Sequence, residues 1–120
     1  MKYHNKKVAF NGEIYDSIRE YQRMCELTLL ENSGYISDLK RQVIFELIPT
    51  QREPDTVGKR GGVKKGKVIE KKCVYIADFT YIDNETGEYV VEDVKGIRTE
   101  AYKIKRKLML YQHGIRITEV

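Results

Sequence analysis

The spacing of apolar residues changes several times along the chain, and each change predicts an element. Ile14, Ile18, Tyr21, Cys25 and Leu29 recur at steps of three and four, the period of one helix face. Asp16 or Ser17 offers an N-cap, and Asn32-Ser33-Gly34 ends the run. From Asp38 to Ile48 the step falls to two. Val43, Phe45 and Leu47 face one way and Gln42 the other, which predicts a strand stopped by Pro49. Residues 50–72 keep no period. Pro54 and four glycines (Gly58, Gly61, Gly62, Gly66) stand there among lysines, as in a long flexible loop or a mobile basic hairpin. Residues 73–82 are β-branched and aromatic, 83–88 are turn-like, and Tyr89 to Lys95 is strand-like up to Gly96. Thr99 caps a helix running to His113, with Ala101, Ile104, Leu108 and Tyr111 as its expected inner face and Gly114 as its stop. Ile115 to Val120 closes with a short strand. The expected fold is α/β, an α+β arrangement on a mixed sheet, in one domain over residues 1–120.

Length and composition agree with that reading. The 120 residues suffice for one hydrophobic core. At 41% hydrophobic and 33% charged, the mix is globular, which excludes a collagen-like or wholly disordered chain. No apolar run approaches the ~20 residues of a membrane span. Met1 to Lys7 lead into no apolar signal segment, so a cytoplasmic protein is expected. Cys25 and Cys73 are expected to be reduced core thiols. Together with His4 and His113 they lack the spacing of a zinc site.

Charge changes the picture more. The net +4 divides unevenly. Residues 73–93 carry six acids (Asp78, Asp83, Glu85, Glu88, Glu92, Asp93) and no Lys or Arg, so the remainder carries +10. Within it, residues 51–72 hold eight basic residues against three acids. Lys59, Arg60, Lys64, Lys65 and Lys67 are spaced by glycines and can follow a phosphate backbone without reading bases. Lys103, Lys105, Arg106 and Lys107 form a second basic cluster on the last helix. A basic body of this kind points to a polyanionic partner.

The acidic stretch has its own logic. A six-residue turn at 83–88 sets Ile82 opposite Tyr89, and counting back along the antiparallel pair sets Asp78 opposite Asp93, with Lys95 further along the same face. Like charges so placed destabilise a sheet unless a positive group lies between them. A hard divalent cation takes carboxylate oxygens, and Mg²⁺ binds through one or two carboxylates plus substrate phosphates. Lys95 adds a point charge, and the Val94 carbonyl is a further candidate ligand. Glu92 points to the other face if the strand is regular, and a bulge would exchange it with Asp93. Glu20 is either the second half of a capping box with Ser17 or a third metal ligand. Gln42 reaches the same cleft or lies solvated on its strand.

These residues resemble the catalytic core of the PD-(D/E)xK nuclease superfamily, to which restriction endonucleases and Holliday junction resolvases belong. Ala77-Asp78 stands at the PD position without the proline, and Asp93-Val94-Lys95 at the (D/E)xK position. The flanking wording is closer still to a small phage-encoded family with this core. It shares Lys2-Tyr3 with Asn5-Lys6-Lys7, Tyr15-Asp16-Ser17 before Glu20, and Gln42-Val43-x-Phe45. It also shares Ile76-Ala77-Asp78-Phe79, Glu92-Asp93-Val94-Lys95-Gly96 and Lys105-x-Lys107-Leu108. The resemblance implies a restriction-endonuclease-like αβββαβ core. It implies a Mg²⁺- or Mn²⁺-dependent deoxyribonuclease with Asp78, Asp93, Lys95 and Glu20 as catalytic residues, and Asp78, Asp93, Glu20 and Val94 at the metal. Similarity to resolvases implies branched or double-stranded DNA as substrate, a role in phage DNA recombination, replication or packaging, and a possible homodimer.

Two other readings of the residues stay open. One is a non-catalytic nucleic-acid-binding protein on a nuclease fold. The other takes Gly58-Lys59-Arg60-Gly61 as the nucleotide-clamping loop of a KH domain, which needs flanking helices.

Overall fold

A computed structural model describes residues 7–10 and 12–120. The resembling words at residues 2–6, and His4, lie outside them. Two short strands come first, β1 (Val8–Phe10) and β2 (Glu13–Tyr15), an antiparallel hairpin absent from the sequence reading. Helix α1 (Ile18–Asn32) follows, and the Ser17 hydroxyl caps it by accepting from the Glu20 N–H. Then come β3 (Ile36–Ile48), β4 (Gln51–Arg52), β5 (Thr56–Val57), β6 (Val63–Lys64), β7 (Val68–Glu70), β8 (Cys73–Asp83) and β9 (Tyr89–Asp93). Helix α2 (Glu100–His113) begins on the Thr99 cap and ends at Gly114, whose φ of 68° is left-handed. Strand β10 (Thr118–Glu119) is last. The protein is thus mixed α/β, with two helices and a four-stranded sheet of order β10-β9-β8-β3. The sheet is antiparallel except for β10 alongside β9. No helix of the described residues is long and apolar enough to cross a membrane.

The two helices cover opposite faces of this sheet. Along β9 the residues alternate between them: Val90 and Val94 pack with Leu27 of α1, Val91 with Tyr102 and Met109 of α2. Glu92 bonds Arg23 of α1, while Asp93 turns to the α2 side. The simple alternation fails twice in β3 and once in β8. Ile36 and Leu39, of opposite parity, both face α1 across the register shift at Asp38, whose φ is 56°, and a second change follows. Phe45, Leu47, Tyr75 and Ala77 belong to the α2 layer, yet Leu39, Phe79 and Tyr81, of the same parity, belong to the α1 layer. This second change falls where the register sets Gln42 across from Asp78, between the pairs Arg41–Phe79 and Val43–Ala77. Gln42 has φ of 52°, a left-handed conformation that costs a non-glycine residue about 1–2 kcal/mol.

Both predicted helix faces are corrected. Ile14, Ile18, Cys25 and Leu29 are exposed, and α1 instead buries Glu20 and Leu27. Ala101, Ile104 and Tyr111 are exposed, Tyr111 by 86%, and α2 buries Tyr102 and Met109. Cys25 is therefore no core thiol, and Cys73 is half-buried. The physical reason is that polar side chains are drawn inward. Glu20, Arg23 and Tyr102 turn to the sheet to serve buried carboxyl and guanidinium groups there, which displaces the apolar stripe outward.

Residues 49–72 form a projecting arm rather than a structureless loop. β4 pairs with β7, and nearer the tip β5 pairs with β6. The arm prolongs the β3–β8 hairpin and accounts for the elongated 62 × 38 × 30 Å shape. A joint locks its two tiers. The Glu53 N–H donates to the Lys67 carbonyl, the Gly66 N–H to Asp55, and Arg52 to the Gly66 carbonyl. A Cβ on Gly66 would lie 1.8 Å from the Glu53 carbonyl oxygen, so no other residue fits. Gly58-Lys59-Arg60-Gly61 lies between β5 and β6, not between helices, which removes the KH-loop reading.

Candidate active-site cleft

The β8–β9 register places the acidic residues. The observed pairs Ile82–Tyr89 and Phe79–Glu92 follow the predicted count, and the next step along the ladder brings Asp78 and Asp93 together. Asp78 also accepts from the Val94 N–H at 2.8 Å. Burial, then a hydrogen bond with Asp93 and that residue's charge, push the Asp78 carboxyl up to about 8. The Asp78 carboxyl is thus disposed to keep its proton at neutral pH, beside Asp93.

Lys95 completes the group. Its Nζ lies 3.2 Å from Asp93 Oδ2 and 3.8 Å from the centre of the Tyr102 ring. Tyr75 donates its hydroxyl to the same Asp93 oxygen at 2.7 Å. Asp93 is held from behind as well, because its carbonyl accepts from the Val120 N–H, and the Lys95 N–H donates to the Val120 carbonyl. Asp78, Asp93, Lys95, Tyr75, Tyr102 and Lys105 line one cleft of about 330 Å³ between the sheet and the start of α2. A larger groove of about 510 Å³ lies between the β1–β2 hairpin and α1. Its only carboxylate among the described residues is Glu13 and it holds no Lys or Arg, so it has no counterpart of the carboxyl–lysine group in the smaller cleft.

Glu20 is buried (3% exposed), and its Oε1 accepts from Arg41 at 3.3 Å and Gln42 at 3.2 Å. Ser17 makes its half of a capping box, while the Glu20 carboxylate goes to Arg41 and Gln42 instead. Glu20 is near enough to add to the upward shift of Asp78, but it does not line the cleft. Among the described residues no group of three or more His, Cys, Asp or Glu is gathered in a geometry to hold a metal. Glu92 is on the α1 face as expected of a regular strand. It is 1% exposed, takes Arg23 at 2.8 and 2.6 Å, and accepts the Tyr81 hydroxyl. The Val94 carbonyl accepts no backbone hydrogen bond among the described residues.

The basic candidates divide. Lys105 is at the cleft. Lys103 pairs with Glu100 at 3.2 Å and Arg106 with Glu119 at 3.3 Å, while Lys107 borders a separate groove with Arg116. Lys59, Arg60, Lys64, Lys65 and Lys67 are all exposed on the arm. Sequence reading missed Tyr75, Tyr102 and Arg41. Tyr75 has the parity of Phe79 and Tyr81 and reaches Asp93 only because the strand departs from regular alternation. Arg41 left no distinct signal, being one of several polar residues (Ser37, Asp38, Lys40, Gln42, Glu46) along its strand.

Fold and cleft together define a mixed α/β protein with a largely buried carboxyl pair on the two central strands of its sheet and a lysine converging on it. Residues 1–118 match the family described as "Protein of unknown function (DUF1064)", and the chain belongs to that family. No curated protein and no solved structure matches it.

Proposed function

We propose that the protein is a divalent-metal-dependent DNA endonuclease of the PD-(D/E)xK kind, built on a restriction-endonuclease-like αβββαβ core. The order α1, β3, β8, β9, α2, β10 supports that core once the β1–β2 hairpin and the arm are set aside. The observation that carries the activity is the Asp78–Asp93 pair with the Lys95 Nζ 3.2 Å from Asp93. Two facing carboxyls in a half-buried sheet are a hard-oxygen donor set suited to Mg²⁺ or Mn²⁺. Asp78, Asp93 and the Val94 carbonyl would hold the ion, with Glu20 behind them at Arg41 and Gln42. When bound, the ion supplies a more acidic water and neutralises charge on the phosphoryl oxygens. Lys95, fixed between Asp93 and the Tyr102 ring, positions a water or a phosphoryl oxygen in the cleft. Tyr75 keeps Asp93 oriented, and Lys105 holds a neighbouring phosphate. The net reaction joins a water oxygen to phosphorus and frees one sugar oxygen.

The substrate in this reading is branched or double-stranded DNA handled during phage recombination, replication or packaging. Cutting both strands of a junction needs two such sites, hence a two-fold homodimer. One observation favours a second reading, a non-catalytic DNA binder on the same fold: Glu20 is committed to Arg41 and Gln42 rather than to the carboxyl pair.

A panel of linear, flapped, single-stranded and four-way DNA, incubated with Mg²⁺ or Mn²⁺, separates the two. Nicking or cleavage by wild type is expected, with Lys95→Ala slower by about 10²- to 10³-fold and its DNA affinity in EDTA within about twofold. Equal cleavage by Lys95→Ala would place the active site elsewhere. Absence of metal-dependent cutting on every substrate would leave the binding reading.

A further inference from the structure

We propose that the arm is a groove-entering β-ribbon, whose paired Val57 and Val63 press on the bases of duplex DNA while its lysines hold the flanking phosphates. The inference rests on DNA as the partner but not on catalysis. It goes beyond phosphate tracking in naming an apolar contact at a defined place.

Four observations carry it. The arm is a two-stranded ribbon, a shape with which proteins enter the minor groove as well as the major one. Every arm residue from Gln51 to Lys72 is exposed except Gly66, so the arm has no core of its own, and an isolated two-stranded ribbon is marginal in water. The Gly66 joint nevertheless holds it in one shape, which reduces the ordering cost on binding. Second, Val57 and Val63 are direct partners in the register, on one side of the ribbon tip, and are 72% and 71% exposed.

Third, cations surround that apolar pair. Lys59 and Arg60 occupy the turn beyond it, and Lys64, Lys65 and Lys67 follow. None of these five takes part in an ion pair among the described residues, whereas Asp55 is spent on the Gly66 N–H. Fourth, the side-chain chemistry is that of a wedge. Small apolar groups inserted at base steps, flanked by cations on the phosphates, are how minor-groove ribbons kink a duplex. A protein partner would find an apolar pair of this size too small for a stable interface.

The test uses the full chain in EDTA, so that no cutting occurs. Binding is measured by fluorescence anisotropy on a duplex of about 25 base pairs carrying 2-aminopurine. Wild type is expected to bind and to raise the 2-aminopurine emission by unstacking. Val57→Ser with Val63→Ser should bind about five- to tenfold more weakly, lose that emission rise, and keep the salt slope. Alanine at Lys59, Arg60, Lys64, Lys65 and Lys67 together should lower the salt slope by about three to five, since each phosphate contact adds ~0.9. Gly66→Ala, which keeps every charge and both valines, should weaken binding through loss of the joint.

A valine double variant with wild-type affinity and emission would overturn the proposal, as would a wild type that does not bind duplex. So would an arm whose loss dissociates a dimer without changing DNA affinity. Arm-dependent binding without any Mg²⁺-dependent cleavage would sink the nuclease reading and leave this one standing.

Discussion

Asp78→Asn should abolish metal-dependent cleavage and, in EDTA, make the protein more stable at pH 8 to 9 than wild type. The two effects have one cause. Asp78 titrates near 3.8 in the unfolded chain and is pushed up to about 8 in the fold, chiefly by burial and then by Asp93. A carboxyl whose folded pKa is raised binds its proton more tightly when folded. Its stabilising contribution is therefore complete below about pH 4 and drains away as pH rises toward 8. Above that, the fold carries two facing carboxylates whose repulsion is opposed by Lys95, the Tyr75 hydroxyl and the Val94 N–H.

The contribution lost across that window should be roughly 2–4 kcal/mol, below the full 1.36 kcal/mol per unit because the two carboxyls interact and the site relaxes. Urea midpoints at pH 5, 7 and 9 read it directly. Wild type should lose stability through the series, while Asp78→Asn stays nearly level after subtraction of the common background. Millimolar Mn²⁺ should restore wild type at pH 8 and leave the variant unmoved. Parallel pH profiles for the two proteins would mean that Asp78 gives up its proton as an ordinary carboxyl does, and the metal assignment would lose its basis.

Arg23→Ala should be the most damaging substitution for folding. Glu92 is 1% exposed, and Arg23 is its only cationic partner among the described residues, at 2.8 and 2.6 Å. Removing the guanidinium leaves a buried carboxylate with the Tyr81 hydroxyl alone, a loss of about 3–5 kcal/mol. A domain of this size has ~5–15 kcal/mol in total, so the variant should be partly unfolded near 37 °C. Arg23→Met with Glu92→Leu should recover most of that loss, since a well-packed apolar pair replaces a buried ion pair at little or no cost. Denaturant midpoints check both. A double variant as unstable as Arg23→Ala alone would show that Glu92 and Arg23 have partners beyond each other. The result also bears on the adjacent acids Glu92 and Asp93: one faces α1 and serves the fold, the other faces α2 and lines the cleft.

How much of this the sequence carried depends on which physical signal each feature leaves. The hairpin register was legible because a turn of known length fixes pairing, and Ile82–Tyr89 then determines every later pair. Helix limits were legible because Ser17, Thr99 and Gly114 are chemical end-marks. Helix faces were not. Periodicity assumes that apolar residues go inward, but here Glu20, Arg23 and Tyr102 go inward because buried acids and cations need partners, and Ile14, Ile18, Ile104 and Tyr111 are left outside. The arm was legible as a basic, glycine-rich loop or hairpin, and the structure has the hairpin; its two tiers were not legible, because they depend on the joint at Gly66 rather than on alternation. At the site, the pairing of Asp78 with Asp93 followed from the count along the hairpin, and Lys95 from its two-residue step beyond Asp93. Tyr75 and the placement of Glu20 on Arg41 and Gln42 did not, because both depend on the left-handed turn of the backbone at Gln42.

The arm and Asp78 are carried by the same two strands, and only the segment from Cys73 to Asp78, about 16 Å of extended chain, separates the arm's root from the cleft. A load on the arm acts as torque on this ribbon. The β3–β8 ladder is interrupted between Glu46 and Ile48, at that root, and is in register from there to the pair Arg41–Phe79. Whatever grips the arm's far end therefore meets that register shift before it meets the carboxyl pair.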